Sequence, residues 1–292
     1  MLDVIIALMP ALVAGCIIFG WRSLLVVAVT SVTAVLTEVI FCLLTKKPQT
    51  VGDLSAVVTG ILLGLNLHAN APLWQCAIGS VFAIAVVKCL FGGIGQNFAN
   101  PAITARVFLL VSFTGTLAGG AVPKLSNYPD LVSGATPLEV LSKGGDLPAI
   151  TDMLLGLRGG AIGETCAIAL VVGFIYLAVR KVIYFEVPLV YLSTIFVIYL
   201  IVGNSFEYAL YQILAGGVLI AAVFMITDYS TTPINRTGKW VFAFGCALLT
   251  FLIRQFGSYP EGASFAILLM NLLTPYIEKW TAKRPFGGKA QV

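Results

Sequence analysis

Long apolar runs separated by short polar breaks organise this chain. The runs fall at residues 4–20, 24–44, 54–67, 73–91 and 102–117, and again at 162–179, 187–202, 208–226, 240–256 and 263–277. Most are about 15 to 20 residues long, close to what a helix needs to cross a hydrocarbon core about 30 Å thick. Strict alternation of apolar and polar positions, the mark of a membrane barrel, is absent. Helices satisfy their own backbone groups in lipid, so the pattern predicts an all-α polytopic membrane protein with about ten transmembrane helices.

The longest polar interval runs from about Gly115 to Ile162 and holds Lys124, Asp130, Glu139, Lys143, Asp146, Asp152 and Arg158. Water must surround much of it. It divides the chain into a first five-span unit (1–117), a loop (118–161), a second five-span unit (162–280) and a basic tail (281–292). Two runs look broken: 54–67 is short and followed by HANAP, and 208–226 runs into TDYSTTP. An offset of about 161 residues pairs Pro72 with Pro233, Gly95 with Gly257 and Ala102 with Ala263. Five spans separate the members of each pair, and an odd number inverts the second copy across the membrane. That predicts two inverted repeats, with broken helices at their interface forming a binding site.

Composition narrows the class. With 59% hydrophobic and 10% charged residues the chain is no ordinary soluble domain. The net charge of +4 reflects orientation rather than nucleic-acid binding, since no basic-aromatic cluster is present. If the N-terminus is cytoplasmic, the inner side receives Lys46, Lys47, Arg180, Lys181, Arg236, Lys239, Lys279, Lys283, Arg284 and Lys289, with Lys88 and Arg106 near the same surface. The outer side receives only Arg22, Lys124, Lys143, Arg158 and Arg254. Both termini are therefore expected in the cytoplasm and the central loop outside. The opening MLDVIIALMP lacks the basic start of a signal peptide and reads as a retained span. Six cysteines lie scattered in apolar segments, without the spacing that holds zinc or an iron–sulfur cluster.

The candidate chemistry sits in the loop, at DLVSGATP (130–137). The pattern D-x-x-[ST]-G-A-[ST] arises by chance in roughly one such chain in a thousand, judged from average residue usage. Gly134 and Ala135 leave room for a modifying enzyme to approach the backbone. Pro137 keeps Thr136 out of helical geometry and its hydroxyl presented. Asp130 and Ser133 complete the motif, with Asp130 able to orient the hydroxyl or to cap a turn.

DLVSGATP resembles the site at which a flavin transferase attaches FMN to threonine through a phosphoester in the RnfD/NqrB family of membrane flavoproteins. FGGIGQNFANPAITAR (91–106), DLSAVVTGILLGLNL (53–67) and the DYSTTP that begins at Asp228 also look like signatures of that family, so the resemblance covers nearly the whole chain. Its length is closer to RnfD than to NqrB, which carries a longer N-terminal part. The resemblance implies covalent FMN on Thr136, facing outward from a bacterial cytoplasmic membrane. It implies a subunit of an Rnf complex, which passes electrons between ferredoxin and NAD⁺ and couples them to Na⁺ or H⁺ movement. Partner subunits, including an FMN-bearing outer-side subunit and iron–sulfur subunits, would carry electrons to and from it. An NqrB-like role in a quinone-reducing Na⁺ pump is the alternative within this chemistry. A small-solute transporter or channel with inverted repeats is the alternative of another class.

Four further places invite function. Asn97, Asn100 and Pro101 in the GQNFANP break offer amide dipoles and free backbone at the repeat interface, suited to contacting a flavin, including a second, noncovalent one such as riboflavin. Asp228, beside Thr227, Ser230, Thr231 and Thr232, is an ion-path candidate with oxygen ligands suited to Na⁺, a contact for a second flavin, or a helix cap. Glu38 lies inside the second span and is an ion-path candidate able to pair with Lys88 or Arg106. His68, the sole histidine, has no neighbouring ligand set and reads as a surface or subunit contact.

Overall fold

The computed structural model describes residues 1–117, 120–121, 123, 136–143, 148–257 and 261–282. Each of the ten apolar runs contains helix, although residues 162–166 at the start of the sixth run lie outside it and the fifth is interrupted at Phe113. The first five become α1 (Leu2–Phe19), α2 (Trp21–Leu44), α3 (Ser55–Leu65), α4 (Leu73–Val81, continued by a π-helical stretch, Phe82–Cys89) and α5 (Pro101–Ser112). Short helices follow: α6 (Thr114–Leu117), α7 (Pro137–Lys143) and α8 (Ile150–Leu155). The second set is α9 (Ala167–Val179), α10 (Glu186–Gly203), α11 (Phe206–Leu214), α12 (Val218–Ile220, continued by π-helical Ala221–Met225), α13 (Arg236–Phe256) and α14 (Ala263–Thr281). Four of these, α1, α2, α10 and α13, are long and apolar enough to cross a membrane, and the bent pair formed by α11 and α12 makes a fifth.

The helices are inside out by the standards of a soluble protein. In α2 the buried stripe includes Ser23, Thr30, Ala34 and Glu38, while Leu24, Val32, Leu36, Ile40 and Leu43 are exposed. Water would reverse that arrangement, so lipid is the solvent of the outer faces. The α1–α2 turn is a single residue, Gly20, with φ of 83°, a conformation that glycine adopts without strain.

Length follows burial. Every residue of α3 except Val57 is buried, so it lies within the protein and need not match the bilayer. Its close fit depends on glycine: a Cβ on Gly60 would meet the Ser31 Cα at 2.5 Å, and one on Gly64 the Val27 Cα at 2.8 Å. Gly173 of α9 fits against the Ala7 carbonyl of α1 in the same way. Small residues at such crossings let backbones approach where no hydrophobic effect drives helices together.

The second broken helix bends by 69° between α11 and α12, through Gly216 at φ 66°. The carbonyls freed there have arginine partners. Arg254 donates to Gln212 O at 2.6 Å and Ala215 O at 3.0 Å, and Arg158 donates to Leu214 O. At the break after α3, Leu65 O and Leu67 O accept the amides of Gly163 (2.7 Å) and Ile162 (2.9 Å).

One end of the bundle gathers Met1, Asp3, Tyr176, Tyr229 and Thr281. Asp3 accepts from Tyr176 Oη at 3.0 Å and pairs with Arg180 at 3.2 Å. Met1 meets Tyr229, and Thr281 O meets Asn235. The opposite end holds Gly20, His68 and Thr116, the His68 ring lying 3.0 Å from Thr116 O. There is also a buried ion pair. Lys88 of the π-helical stretch lies 2.7 Å from Glu38 of α2, and its Nζ also donates to Ser55 Oγ at 2.5 Å, so it ties three elements together.

Two substitutions test this packing. Gly60→Val is expected to lower stability by about 1–3 kcal/mol through overpacking, read as a lower melting temperature of the detergent-solubilised protein. Gly52→Ala, with open space around it, serves as the neutral control. Lys88→Met alone strands the buried Glu38 carboxylate and should cost about 3–5 kcal/mol, whereas Lys88→Met combined with Glu38→Leu should recover most of that loss.

Candidate functional site

Of the motif residues, Thr136 falls among those described, while Asp130, Ser133, Gly134 and Ala135 lie outside them. Thr136 is half-buried and stands immediately before α7. Its carbonyl accepts the Val140 amide at 3.0 Å. Pro137 takes the first helical position, where its missing N–H costs nothing. Leu138 buries itself in the main core and fixes the short helix against the bundle.

Thr136 opens on a small cavity whose wall includes Arg158, Gly160, Glu164, Thr165, Gly216 and Glu261. Behind it lies a dense ionic cluster. Arg106 of α5 pairs with Glu164 at 2.7 Å, donates to Asn66 at the end of α3, and pairs with Glu261, just ahead of α14. The charge pattern of the sequence puts Arg106 near the same surface as Lys88. Its long side chain instead reaches toward the Thr136 end, because Asn66 and both carboxylates meet it there.

Arg158 differs from Arg106. Among the described residues it has no carboxylate partner: one nitrogen donates to Glu164 O at 2.9 Å and to Leu214 O. Its Nε is buried without a partner, as is the Thr165 hydroxyl. Burial pulls the Arg158 guanidinium down to about 10, with Glu164 acting in the opposite direction. It remains a cation at neutral pH.

The other candidates meet at the opposite end. Asn97, Asn100, Pro101 and Asp228 line one cleft of about 860 Å³, together with Ser55 and Lys88. Asn100 caps α5, its Oδ1 accepting the Ala102 and Ile103 amides at 3.0 and 3.3 Å, while its Nδ2 donates to Asp228 at 3.0 Å. Asp228 also accepts from the Ser230 amide at 3.1 Å and from the Ser230 and Thr231 hydroxyls at 2.9 and 3.1 Å. Asn97 Oδ1 is buried and unpaired. Glu38 does not line the cleft. It lies behind Lys88, accepting also from Thr50 at 2.6 Å, and its second oxygen has no partner.

The sequence does not single out Arg158, Glu164, Thr165, Arg254 or Glu261 as site residues. Glu164 and Thr165 sit at the edge of a polar-to-apolar transition, where such residues are common. Glu261 does carry a usable signal: the 161-residue offset pairs it with Asn100.

Comparison with known proteins bears on both loci. Residues 1–287 match the family described as NQR2, RnfD, RnfE. The chain is 46% identical, over 98% of its length and 90% of the relative's, to the D subunit of the Na(+)-translocating ferredoxin:NAD(+) oxidoreductase complex of Acetobacterium woodii. It is 39% identical, over 98% and 91%, to the D subunit of the proton-translocating ferredoxin:NAD(+) oxidoreductase complex of Clostridium ljungdahlii. It is 34% identical, over 100% and 92%, to the D subunit of the ion-translocating oxidoreductase complex of Stutzerimonas stutzeri. With a match running through both polar clusters and every apolar helix, this chain belongs to the NQR2, RnfD, RnfE family.

Proposed function

We propose that the chain is the membrane-embedded, covalently flavinylated D subunit of an Rnf-type complex, coupling electron transfer between ferredoxin and NAD⁺ to Na⁺ or H⁺ translocation. The oxidoreductase names of its relatives support the complex. The observation that carries the flavin assignment is Thr136 at the mouth of a cavity whose wall holds a buried arginine with no carboxylate hydrogen bond among the described residues, and two orphaned donors. That donor set fits a phosphorylated group better than a neutral solute. When bound, FMN supplies one- and two-electron redox chemistry. The protein's own part is to tether it, fix its distance to neighbouring centres and exclude competing ligands.

We read the fold as ten spans in two inverted five-helix repeats. In support, the two breaks have complementary partners at opposite ends: Asn100 ahead of α5 meets Asp228, and Glu261 ahead of α14 meets Arg106 and so Asn66. Both termini then face the cytoplasm and Thr136 faces outward, in line with the excess of Lys and Arg on the inner side. Partners are the other Rnf subunits, an FMN-bearing subunit on the outer side and iron–sulfur subunits among them, with a flavin transferase for maturation. The cleft around Asn97, Asn100, Pro101 and Asp228, lined by amides and hydroxyls as well as apolar groups, is where a second, noncovalent flavin such as riboflavin would bind. Glu38 and Asp228 remain the ion-path candidates.

The complex purified from a host that has the transferase should give a flavin-fluorescent subunit band on a denaturing gel. Thr136→Val should abolish the band and Thr136→Ser should retain part of it. Absence of covalent flavin from the unaltered chain would sink the assignment.

A further inference from the structure

The charges of the described residues around Thr136 do not balance. Among the described residues, three guanidinium groups, Arg106, Arg158 and Arg254, stand against two carboxylates, Glu164 and Glu261. Arg106 takes both carboxylates, and Arg254 caps the α11 break through Gln212 and Ala215. The surplus cation is Arg158, 5% exposed and, among the described residues, hydrogen-bonded only to backbone carbonyls. Its carbonyl partners engage one terminal nitrogen and leave Nε with an unused donor. Thr165, fully buried, has an unused hydroxyl in the same cavity wall. Buried donors without acceptors are costly and rare. Two of them, beside a surplus positive charge and next to Thr136, mark the place of an anionic acceptor.

We propose that Arg158 and Thr165 anchor the phosphate of the group attached to Thr136, so that the flavin hangs from a fixed phosphodiester rather than a free tether. This rests on the reading of Thr136 as the attachment site. The chemistry matches: a phosphodiester carries one negative charge, equal to the surplus among the described residues, and its two non-bridging oxygens accept but do not donate. A guanidinium and a hydroxyl each supply the N–H or O–H donor that such oxygens need. The wall also includes Gly160 and Gly216, which add no side chain to compete for the space. Arg158 and Thr165 are positioning residues on this account, since neither meets the redox-active ring.

The test uses the whole complex from a host with the transferase, carrying Thr165→Val, Thr165→Ser, Arg158→Gln or Arg158→Lys. Covalent flavin is read from intact subunit mass, phosphate environment from the ³¹P resonance, and freedom of the tether from iodide quenching of flavin fluorescence. Loss of one charge-assisted hydrogen bond should shift the ratio of anchored to released phosphate by about tenfold or more. Thr165→Val and Arg158→Gln should therefore move the ³¹P resonance toward that of the denatured protein and raise quenching. Thr165→Ser should behave as the unaltered chain, and Arg158→Lys should fall between. Melting temperature checks folding: Thr165→Val, close in shape to threonine and losing only the hydrogen bond to the phosphate, should stay folded and melt within a few degrees of the unaltered chain. If Arg158→Gln fails to assemble, the Val and Ser variants at Thr165 decide. Covalent flavin present, with resonance and quenching unchanged in Thr165→Val, overturns the anchor and leaves the attachment site standing. No covalent flavin in the unaltered chain removes the attachment site itself.

Discussion

Lipid offers no hydrogen bonds, and the structure depends on that constraint. Wherever a helix breaks, the freed carbonyls and amides must find partners inside the protein. The break after α3 draws in the 160–163 segment, whose amides cover Leu65 and Leu67. The break after α11 draws in two arginines, Arg158 and Arg254, onto three carbonyls. Asn100 serves the start of α5 with its own side chain. Arg158, Arg254 and Asn100 are buried where they are because discontinuous helices leave backbone groups there to satisfy.

Once arginines are inside, carboxylates become necessary. Arg106 collects Glu164 and Glu261, and Lys88 is held by Glu38. Buried pairs of this kind contribute little net stability, because desolvation offsets their attraction. What they provide is position: each joins helices distant in sequence, and one wrong partner leaves an uncompensated charge. Glycine at helix crossings supplies the attraction that water does not, by letting backbones approach until dispersion contacts are dense.

The result is two polar loci at opposite ends of an apolar bundle. One surrounds Thr136 with guanidinium groups. The other surrounds Asp228 with amides and hydroxyls. On the proposed reading, a tethered flavin lies at the first locus and ion or flavin chemistry at the second, and α3 spans the distance between them, with Ser55 at the cleft and Asn66 on Arg106. A rigid phosphate anchor would keep the electron-transfer distance constant while the rest of the complex moves.

The amino-acid sequence by itself determined the class of molecule, the approximate places of the helices in the ten apolar runs, two irregular runs and Thr136 as the chemical candidate, while the fold put the second break at Gly216, inside its run and not at TDYSTTP. Those properties are local: length and apolarity of a run, a proline after a threonine, a short span ending in HANAP. It also brought Asn97, Asn100, Pro101 and Asp228 into consideration, and the fold gathers them around one cleft. Only the tertiary structure decided that Glu38 pairs with Lys88 and not Arg106, that Arg106 belongs to the Thr136 end, and that Arg158 and Thr165 stand beside Thr136 with unused donors. Those outcomes depend on contacts between residues tens to more than a hundred positions apart. Hydropathy treats a loop arginine as an orientation charge. Its role as a cap for α11, and its surplus charge, exist only when the break it covers has been folded against it.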